Sequence, residues 1–304
     1  MEKPMLCVLF ITYNHKNYVA DALDSILMQK TNFAFSIVAG DDCSKDGTRE
    51  IVKDYAARHP GRFVITNPEN NLGAEKNFNQ ILGKCIAMQP KYIAYLEGDD
   101  FWMDEDRLQK QVDLLENEPA VAMVYGKYKM INNRNEYISV QTPPYQSGHI
   151  FNDLITCKFL PALHASVYRT KILAELFSRS NFIGSDFFIV AEAAMHHEIK
   201  FLDEFYFVYR QTSGSVTKTQ ANVVTSQFVD ILNLYKDRYP ELVQEGLKVG
   251  GRRLLYNQAE DNPSLKNLFN LLKRYEFTFL HQKQIVKWFF LNLKNLTGVK
   301  AGNS

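Results

Sequence analysis

The first hundred residues alternate strand and helix signals, and that alternation constrains the fold more than any other feature. Leu6–Thr12 is a continuous apolar run, of the kind seen in strands buried on both faces. Tyr18–Met28 follows with helical spacing at Val19, Leu23, Ile26 and Leu27. Phe35–Ala39 and Phe63–Thr66 read as strands, and Thr48–Arg58 between them as a helix. Ala74–Met88 reads as a third helix, with Phe78, Ile81, Leu82, Cys85 and Ile86 on one side, and Tyr92–Leu96 as a fourth strand. Such alternation predicts an α/β fold, a mostly parallel sheet flanked by helices. In sheets of this type ligands bind beyond the carboxyl ends of the strands. Three polar clusters stand at those ends: Thr12-Tyr13-Asn14, Asp41-Asp42 and Glu97–Asp100.

The remainder is less regular. Arg107–Glu116 predicts a helix closed by Pro119, and Val121–Tyr125 a strand. Asn132–Gly148, with its Pro143-Pro144 pair, reads as a loop or hairpin. Asp186–Met195 predicts a helix and Phe205–Arg210 a strand, and from about Ser226 only helical patterns remain. The expected division is a core domain over 1–217 and a helical appendage over 218–304. With 304 residues, 46% of them hydrophobic, the chain can bury a sizeable core. A net charge of +1 supplies no global field for nucleic acid, so none is expected as a partner. Cys7, Cys43, Cys85 and Cys157 form no CxxC pair, which speaks against structural zinc and suits a reducing compartment. Met5–Ile11 is too short for a signal sequence, and no run of 18 apolar residues predicts a membrane span. These features lead to an expectation of a cytoplasmic chain, peripheral on the membrane at most.

The chemistry concentrates in the acidic cluster. Glu97, Asp99 and Asp100 bring three carboxylates within four residues, directly after an apolar run. Like charges at this spacing repel, and a divalent cation is the simplest group to gather there; a solvated turn is the plain alternative. At the second strand end, capping accounts for Ser44 to Thr48 but not for Asp41 and Asp42. A carboxylate so placed can accept hydrogen bonds from a nucleobase or a ribose. Lys76 sits in the first turn of the third helix, within reach of a diphosphate or of solvent. No G-x-G-x-x-G follows the first strand, and neither a phosphate-binding P-loop nor a G-x-S-x-G nucleophile elbow is present.

Taken in order, Ile11-Thr12-Tyr13-Asn14, Asp41-Asp42-x-Ser44-x-Asp46-Gly47-Thr48, Asn71-x-Gly73 with Asn77, and Glu97-Gly98-Asp99-Asp100-x-Trp102 resemble the family 2 glycosyltransferases, which have the nucleotide-sugar-binding GT-A fold. The resemblance covers roughly residues 5–215. It implies a metal-dependent, inverting transfer of a sugar from a nucleotide donor, UDP-linked by preference, to a hydroxyl of a glycan or lipid-linked acceptor in polysaccharide synthesis. It places Thr12, Tyr13, Asn14, Asp41, Asp42, Lys76 and Gly98 around the nucleotide. It gives Asp99 to Mg²⁺ or Mn²⁺, with Glu97 where the family's first Asp usually stands, and Asp100 and Trp102 to the donor sugar. Asp186, in Gly184-Ser185-Asp186-Phe187-Phe188, matches the acidic base position, with an N-cap role as the alternative. Arg210 matches a stretch that closes over the diphosphate, a structural ion pair being the alternative. Several relatives carry His two residues later; Thr212 stands here, so no metal ligand is expected there. His164 can line the acceptor side, although a lone His is more often structural.

Two other classes compete. A sugar-nucleotide nucleotidyltransferase would want glycines after the first strand, which Ile11–Lys16 lacks. A non-catalytic nucleotide-sugar binder would not need both Asp99 and Asp186. Beyond the core, Leu265, Leu268, Phe269 and Leu272 form one helical stripe, and Ile285, Trp288, Phe289 and Leu296 another, and from Lys266 to Lys300 there are seven basic residues and one acidic residue, Glu276. A basic amphipathic segment suits an anionic membrane surface; packing on the core or in a homodimer is the alternative.

Overall fold

A computed structural model describes residues 3–139, 145–179, 185–212 and 221–249. The expected alternation is present: β1 (Leu6–Thr12), α1 (Val19–Leu27), β2 (Phe35–Asp41), α2 (Thr48–Arg58), β3 (Phe63–Thr66), α3 (Ala74–Ala87) and β4 (Tyr92–Glu97). There follow β5 (Phe101–Trp102), α4 (Arg107–Asn117), β6 (Val121–Asn132), β7 (Tyr137–Ser139), α5 (Phe151–Ile155), a 3₁₀ turn at Leu163–Ala165, β8 (Ser166–Arg169), α6 (Thr170–Phe177), α7 (Asp186–His196), β9 (Glu198–Gln211) and α8 (Ala221–Leu234). A further helix spans 240–249.

One sheet carries the fold, in the order β3-β2-β1-β4-β8-β6-β9-β5, with β7 paired to β6. The four strands of the alternating region are all parallel. β8 runs antiparallel to both β4 and β6, whereas β9 is parallel to β6. β1 and β2 are buried along their whole length, as continuous apolar runs require. α1 seats Val19, Ala22, Leu23 and Ile26 in the core beneath the sheet, and α4 adds Leu108, Val112 and Leu115.

Strand order makes the cleft. From β1 the chain moves outward through β2 and β3, then returns to the other side of β1 as β4. The carboxyl ends of β1 and β4 thus diverge into different connections, the place where open α/β sheets bind ligands. Register brings the polar clusters level there: Thr12 pairs with Asp41, and Ile11 with Glu97. Gly98 lets the ends of β1 and β4 close up, its N–H donating to the Ile11 carbonyl at 2.9 Å. A Cβ on Gly98 would lie 2.4 Å from Thr12 Oγ1 and 2.7 Å from Thr12 Cβ. Gly98→Ala is therefore expected to cost about 1–3 kcal/mol through overpacking. Thermal unfolding would register it as a lowered Tm, and an unchanged Tm would show that the two strand ends separate freely.

The sequence expectation was short in the second half. The strand expected at Val121–Tyr125 continues to Asn132 and turns into β7; the one expected at Phe205–Arg210 begins at Glu198. β8 and α6 were not expected at all. β8 has only four residues, and its strand character comes from lying buried between β4 and β6 rather than from a local pattern.

By contacts the chain divides into two compact units. The first comprises residues 1–154 and 158–212, and the second gathers Ile155–Cys157 with the chain from Ser213 onward. Within the second unit, Cys157 Sγ donates to the Gly246 carbonyl at 3.7 Å. The expected boundary at 217 and the two apolar stripes between Leu265 and Leu296 lie outside the described residues. Among the described residues no helix is long and apolar enough to cross a membrane.

Candidate active site

The loops after β1 and β2 are stitched together. Asn14, in the left-handed region at φ 55°, donates its N–H to Ser44 Oγ at 2.8 Å, and its Oδ1 accepts from the Lys45 N–H at 3.1 Å. Asp46 accepts from the N–H of Lys16 and from the N–H and hydroxyl of Thr48, the first residue of α2. Asn14 thus shapes the loop, and the Tyr13 ring beside it is left 44% exposed.

Asp41 is fully buried. Its Oδ1 accepts from the Ser44 N–H at 3.0 Å and from Arg49 Nε at 2.8 Å, whereas its Oδ2 has no hydrogen-bond partner among the described residues. Asp42, expected at the nucleotide, has a different task. Its two oxygens accept from the N–H groups of Leu72 (2.7 Å) and Gly73 (2.9 Å), so its carboxylate holds the loop between β3 and α3. Lys76 lies exposed on the first turn of α3.

The turn after β4 delivers the acidic cluster. Glu97 keeps about a third of its side chain open (36%), and its Oε1 accepts from the Tyr95 hydroxyl at 2.5 Å and lies 3.7 Å from His164 Nε2. Asp99 Oδ2 lies 3.7 Å from His15 Nε2, and His15 Nδ1 is 3.3 Å from Thr12 Oγ1. Asp100 Oδ1 accepts from the Arg210 N–H at 2.8 Å, and its Oδ2 lies 3.9 Å from His164 Nε2. Asp99 Oδ1, Asp100 Oδ2 and His164 Nε2 are buried without a hydrogen-bond partner among the described residues. Asp186 opens α7, and its charge reaches His164, Tyr95 and Tyr168.

Two residues expected at ligands are buried. Trp102 is 1% exposed, and its indole N–H donates to the His164 carbonyl at 3.1 Å. It supports the backbone of His164. Arg107 donates to the same carbonyl at 2.9 Å, its guanidinium 4.0 Å from the Trp102 ring centroid. Arg210, expected at the diphosphate, is also 1% exposed. Its Nε donates to the Asp99 carbonyl at 3.0 Å, Nη1 to Asn135 Oδ1 and Nη2 to Asp21 Oδ2 at 3.5 Å. With every guanidinium nitrogen engaged by the chain itself, Arg210 braces the Asp99-Asp100 turn from behind.

Sequence reasoning undervalued two histidines. His164 lies amid the cluster, its ring 4.6 Å from that of Tyr95 and 5.1 Å from that of Phe207. Nothing local marks it; only the pairing of β8 with β4 brings it to Glu97. His15 carried a weak signal, three residues after Thr12 in the loop leaving β1.

The electrostatics follow from this crowding. Burial pushes the Asp100 carboxyl well up, and the neighbouring Asp99 and Glu97 charges add to it. Burial raises Asp99 and Asp186 as well; the Glu97 charge reinforces both, while His15 opposes the first and His164 the second. For Glu97 burial also pushes upward, but His164, Tyr95 and His15 outweigh it and hold the carboxyl at about 2. For His164 burial pushes downward, but Glu97, Asp100 and Asp186 prevail and raise it to about 9.

The sign of the pH dependence follows. The raised His164 contributes stability below its ordinary 6.5 that is lost as pH rises through about 9. The depressed Glu97 contributes stability above its ordinary 4.5 that is lost as pH falls through about 2. The pair therefore stabilises most between those ordinary values. In chelator-treated protein, Tm is expected to fall between pH 6.5 and 9 more steeply for the native chain than for Glu97→Gln. Parallel curves would show that the pair is not coupled.

The profile of Glycosyl transferase family 2 matches residues 7–177, more than half of the chain. The uncharacterized protein Rv1520 of Mycobacterium tuberculosis is 29% identical over 211 residues, 69% of this chain and 60% of that protein. The chain thus spans less than two thirds of that relative's length. A putative teichuronic acid biosynthesis glycosyltransferase of Bacillus subtilis, TuaG, is 34% identical over 129 residues, 42% of this chain and 48% of its own. Among solved structures, S. aureus TarS in complex with UDP-GlcNAc aligns with a TM-score of 0.57 at 17% identity, over 84% of this chain and 80% of that one. The mannosyltransferase PcManGT from Pyrobaculum calidifontis, in complex with GDP-Man and Mn²⁺, aligns with a TM-score of 0.59 at 16% identity, over 96% and 81%. These two likenesses concern the fold, and they agree with the GT-A architecture. With its strand-end motifs in place on that sheet and the family profile running from β1 into α6, this chain belongs to glycosyl transferase family 2.

Proposed function

We propose that this chain is a metal-dependent, inverting glycosyltransferase that moves a sugar from a UDP-linked donor to a hydroxyl of a glycan or lipid-linked acceptor, in cell-surface polysaccharide synthesis. The observation that carries the reading is a pair of buried carboxylate oxygens without hydrogen-bond partners among the described residues, at the ends of the two strands that flank β1: Asp41 Oδ2 and Asp99 Oδ1. Such atoms are costly to bury unless a ligand meets them. Asp41 suits an N–H or hydroxyl donor on a base or ribose, and the exposed Tyr13 ring suits stacking. Mg²⁺ or Mn²⁺ fits Asp99, because hard cations take carboxylate oxygens and complete their shell with phosphate and water. When bound, the metal offsets the negative charge of a diphosphate leaving group.

The chain's own residues supply the rest. Asp99 is held from behind by Arg210 and faced by His15. Asp186 takes the proton of the acceptor hydroxyl, its raised pKa bringing it toward the range a general base needs. Attack from the face opposite the diphosphate inverts the anomeric carbon in one displacement, with no covalent intermediate. The complexes of TarS with UDP-GlcNAc and of PcManGT with GDP-Man and Mn²⁺ support a nucleotide-sugar donor, and TuaG supports a polysaccharide product. The basic apolar stripes after residue 264 would bring the chain to a membrane surface carrying a lipid-linked acceptor.

A donor screen tests the reading. UDP-, GDP- and dTDP-sugars are added with and without Mn²⁺ while thermal unfolding is followed. Ligand at about 100 times its Kd stabilises by about 2.7 kcal/mol. A UDP-sugar is expected to raise Tm in the presence of Mn²⁺ and to release UDP slowly. If no nucleotide sugar shifts Tm, the proposal fails.

A further inference from the structure

We propose that Glu97, Asp100 and His164 form a divalent-cation site of their own, one that excludes Asp99 and fills without nucleotide. Glu97 Oε1, Asp100 Oδ2 and His164 Nε2 all lie within 4.8 Å of one another. The imidazole nitrogen is 3.7 Å from Glu97 Oε1 and 3.9 Å from Asp100 Oδ2. Those separations are too long for hydrogen bonds. They match two ligands on one small cation, which at about 2.1 Å each stand about 3 to 4 Å apart.

Burial makes the arrangement more than an acidic cluster. The Asp100 side chain has no exposed surface, and its Oδ2 has no hydrogen-bond partner among the described residues. Its other oxygen is held by the Arg210 N–H, so the carboxylate cannot swing away to find one. His164 Nε2 is likewise without a hydrogen bond. The backbone of His164 is fixed by Trp102 and Arg107 at its carbonyl, and its ring lies between those of Tyr95 and Phe207. The three ligand atoms thus come from two pieces of structure far apart in the chain, the turn after β4 and the 3₁₀ turn before β8, with Asp100 and His164 each held by further residues, as built metal sites are. Glu97, the most open of the three, supplies the adjustable arm. Asp99 turns its Oδ2 to His15 instead.

The donor set also indicates which cation. Two carboxylates neutralise a divalent charge, and an imidazole ligand suits Mn²⁺ or Zn²⁺ better than Mg²⁺. The cation takes the place of the proton on Nε2. Bound there, it fixes Asp100 and Glu97 at the end of β4. The site goes beyond the glycosyltransferase reading, since it needs neither donor nor acceptor.

The test is a Mn²⁺ titration of the full chain without nucleotide, followed by electron paramagnetic resonance with spin-echo detection of directly bound nitrogen. The native chain is expected to bind Mn²⁺ with an imidazole nitrogen in its shell. His164→Gln should lose the nitrogen signal, and Asp100→Asn should weaken binding by about tenfold or more. His15→Gln and Asp99→Asn should keep the nitrogen signal, and Mg²⁺ should compete poorly. Absence of nucleotide-free binding in the native chain would overturn the proposal. So would binding that vanishes with Asp99→Asn, or a nitrogen signal that vanishes with His15→Gln. Should His164→Gln fail to fold, the native signal and its fate in His15→Gln still decide.

Discussion

Asp186→Asn is expected to lower turnover by roughly 10²- to 10⁴-fold, the range general base catalysis supplies. The amide has the shape of the carboxylate but cannot take the acceptor proton. Binding of nucleotide, measured by calorimetry in Mn²⁺, should stay near the native value, because the nucleotide contacts proposed above do not involve α7. A further sign should accompany the loss. Burial and the Glu97 charge raise the pKa of Asp186, so the acid limb of the native rate profile should lie above the ordinary carboxylate value of 3.8. Native turnover in the variant would remove Asp186 from the base role. Loss of turnover together with loss of nucleotide binding would point to a collapsed site instead.

Asp99→Ala should abolish the effect of Mn²⁺ on nucleotide binding. The variant's affinity in Mn²⁺ is expected to fall to the level the native chain shows in chelator, a loss of roughly 10- to 100-fold or more. Among the described residues, Asp99 has one oxygen without a hydrogen-bond partner, and its other oxygen lies 3.7 Å from the His15 imidazole. Its backbone carbonyl, not its side chain, anchors Arg210, so truncation leaves that brace in place. Calorimetry of UDP with and without Mn²⁺ reads the outcome, and equal Mn²⁺ dependence in both proteins would refute the role. Nucleotide-free Mn²⁺ at Glu97, Asp100 and His164 should survive the same substitution, which separates the two cation proposals.

The parts of the fold that the sequence made legible share one property: their signal is local. β1, β2 and β4 are apolar runs because both of their faces are buried. α3 shows its buried Phe78, Ile81, Leu82 and Cys85 at helical spacing. β8 has no such signal, since its four residues become a strand only between two others. The long β6 and β9 pair with each other through register shifts and mix polar with apolar residues, so only their most apolar stretches stood out.

The site divides in the same way. Motif order along the chain identified Thr12, Asp41, Glu97, Asp99 and Asp100 as neighbours at strand ends, and parallel pairing explains why, because register carries Thr12 beside Asp41 and Ile11 beside Glu97. What each side chain does there was not legible. Asp41 and Asp42 are adjacent carboxylates, yet among the described residues one keeps an oxygen without a partner and the other accepts from two backbone N–H groups. Trp102 and Arg210 stand in motif positions that suggest ligand contacts, yet both are buried supports. A sequence by itself determines which residues arrive at a strand end, because periodicity and chain order are local properties. Whether a polar atom there meets backbone, a distant histidine or nothing depends on elements far apart in the chain. Only the tertiary structure could bring His164 from beside β8 to Glu97 and Asp100, and so turn an acidic turn into a candidate cation site.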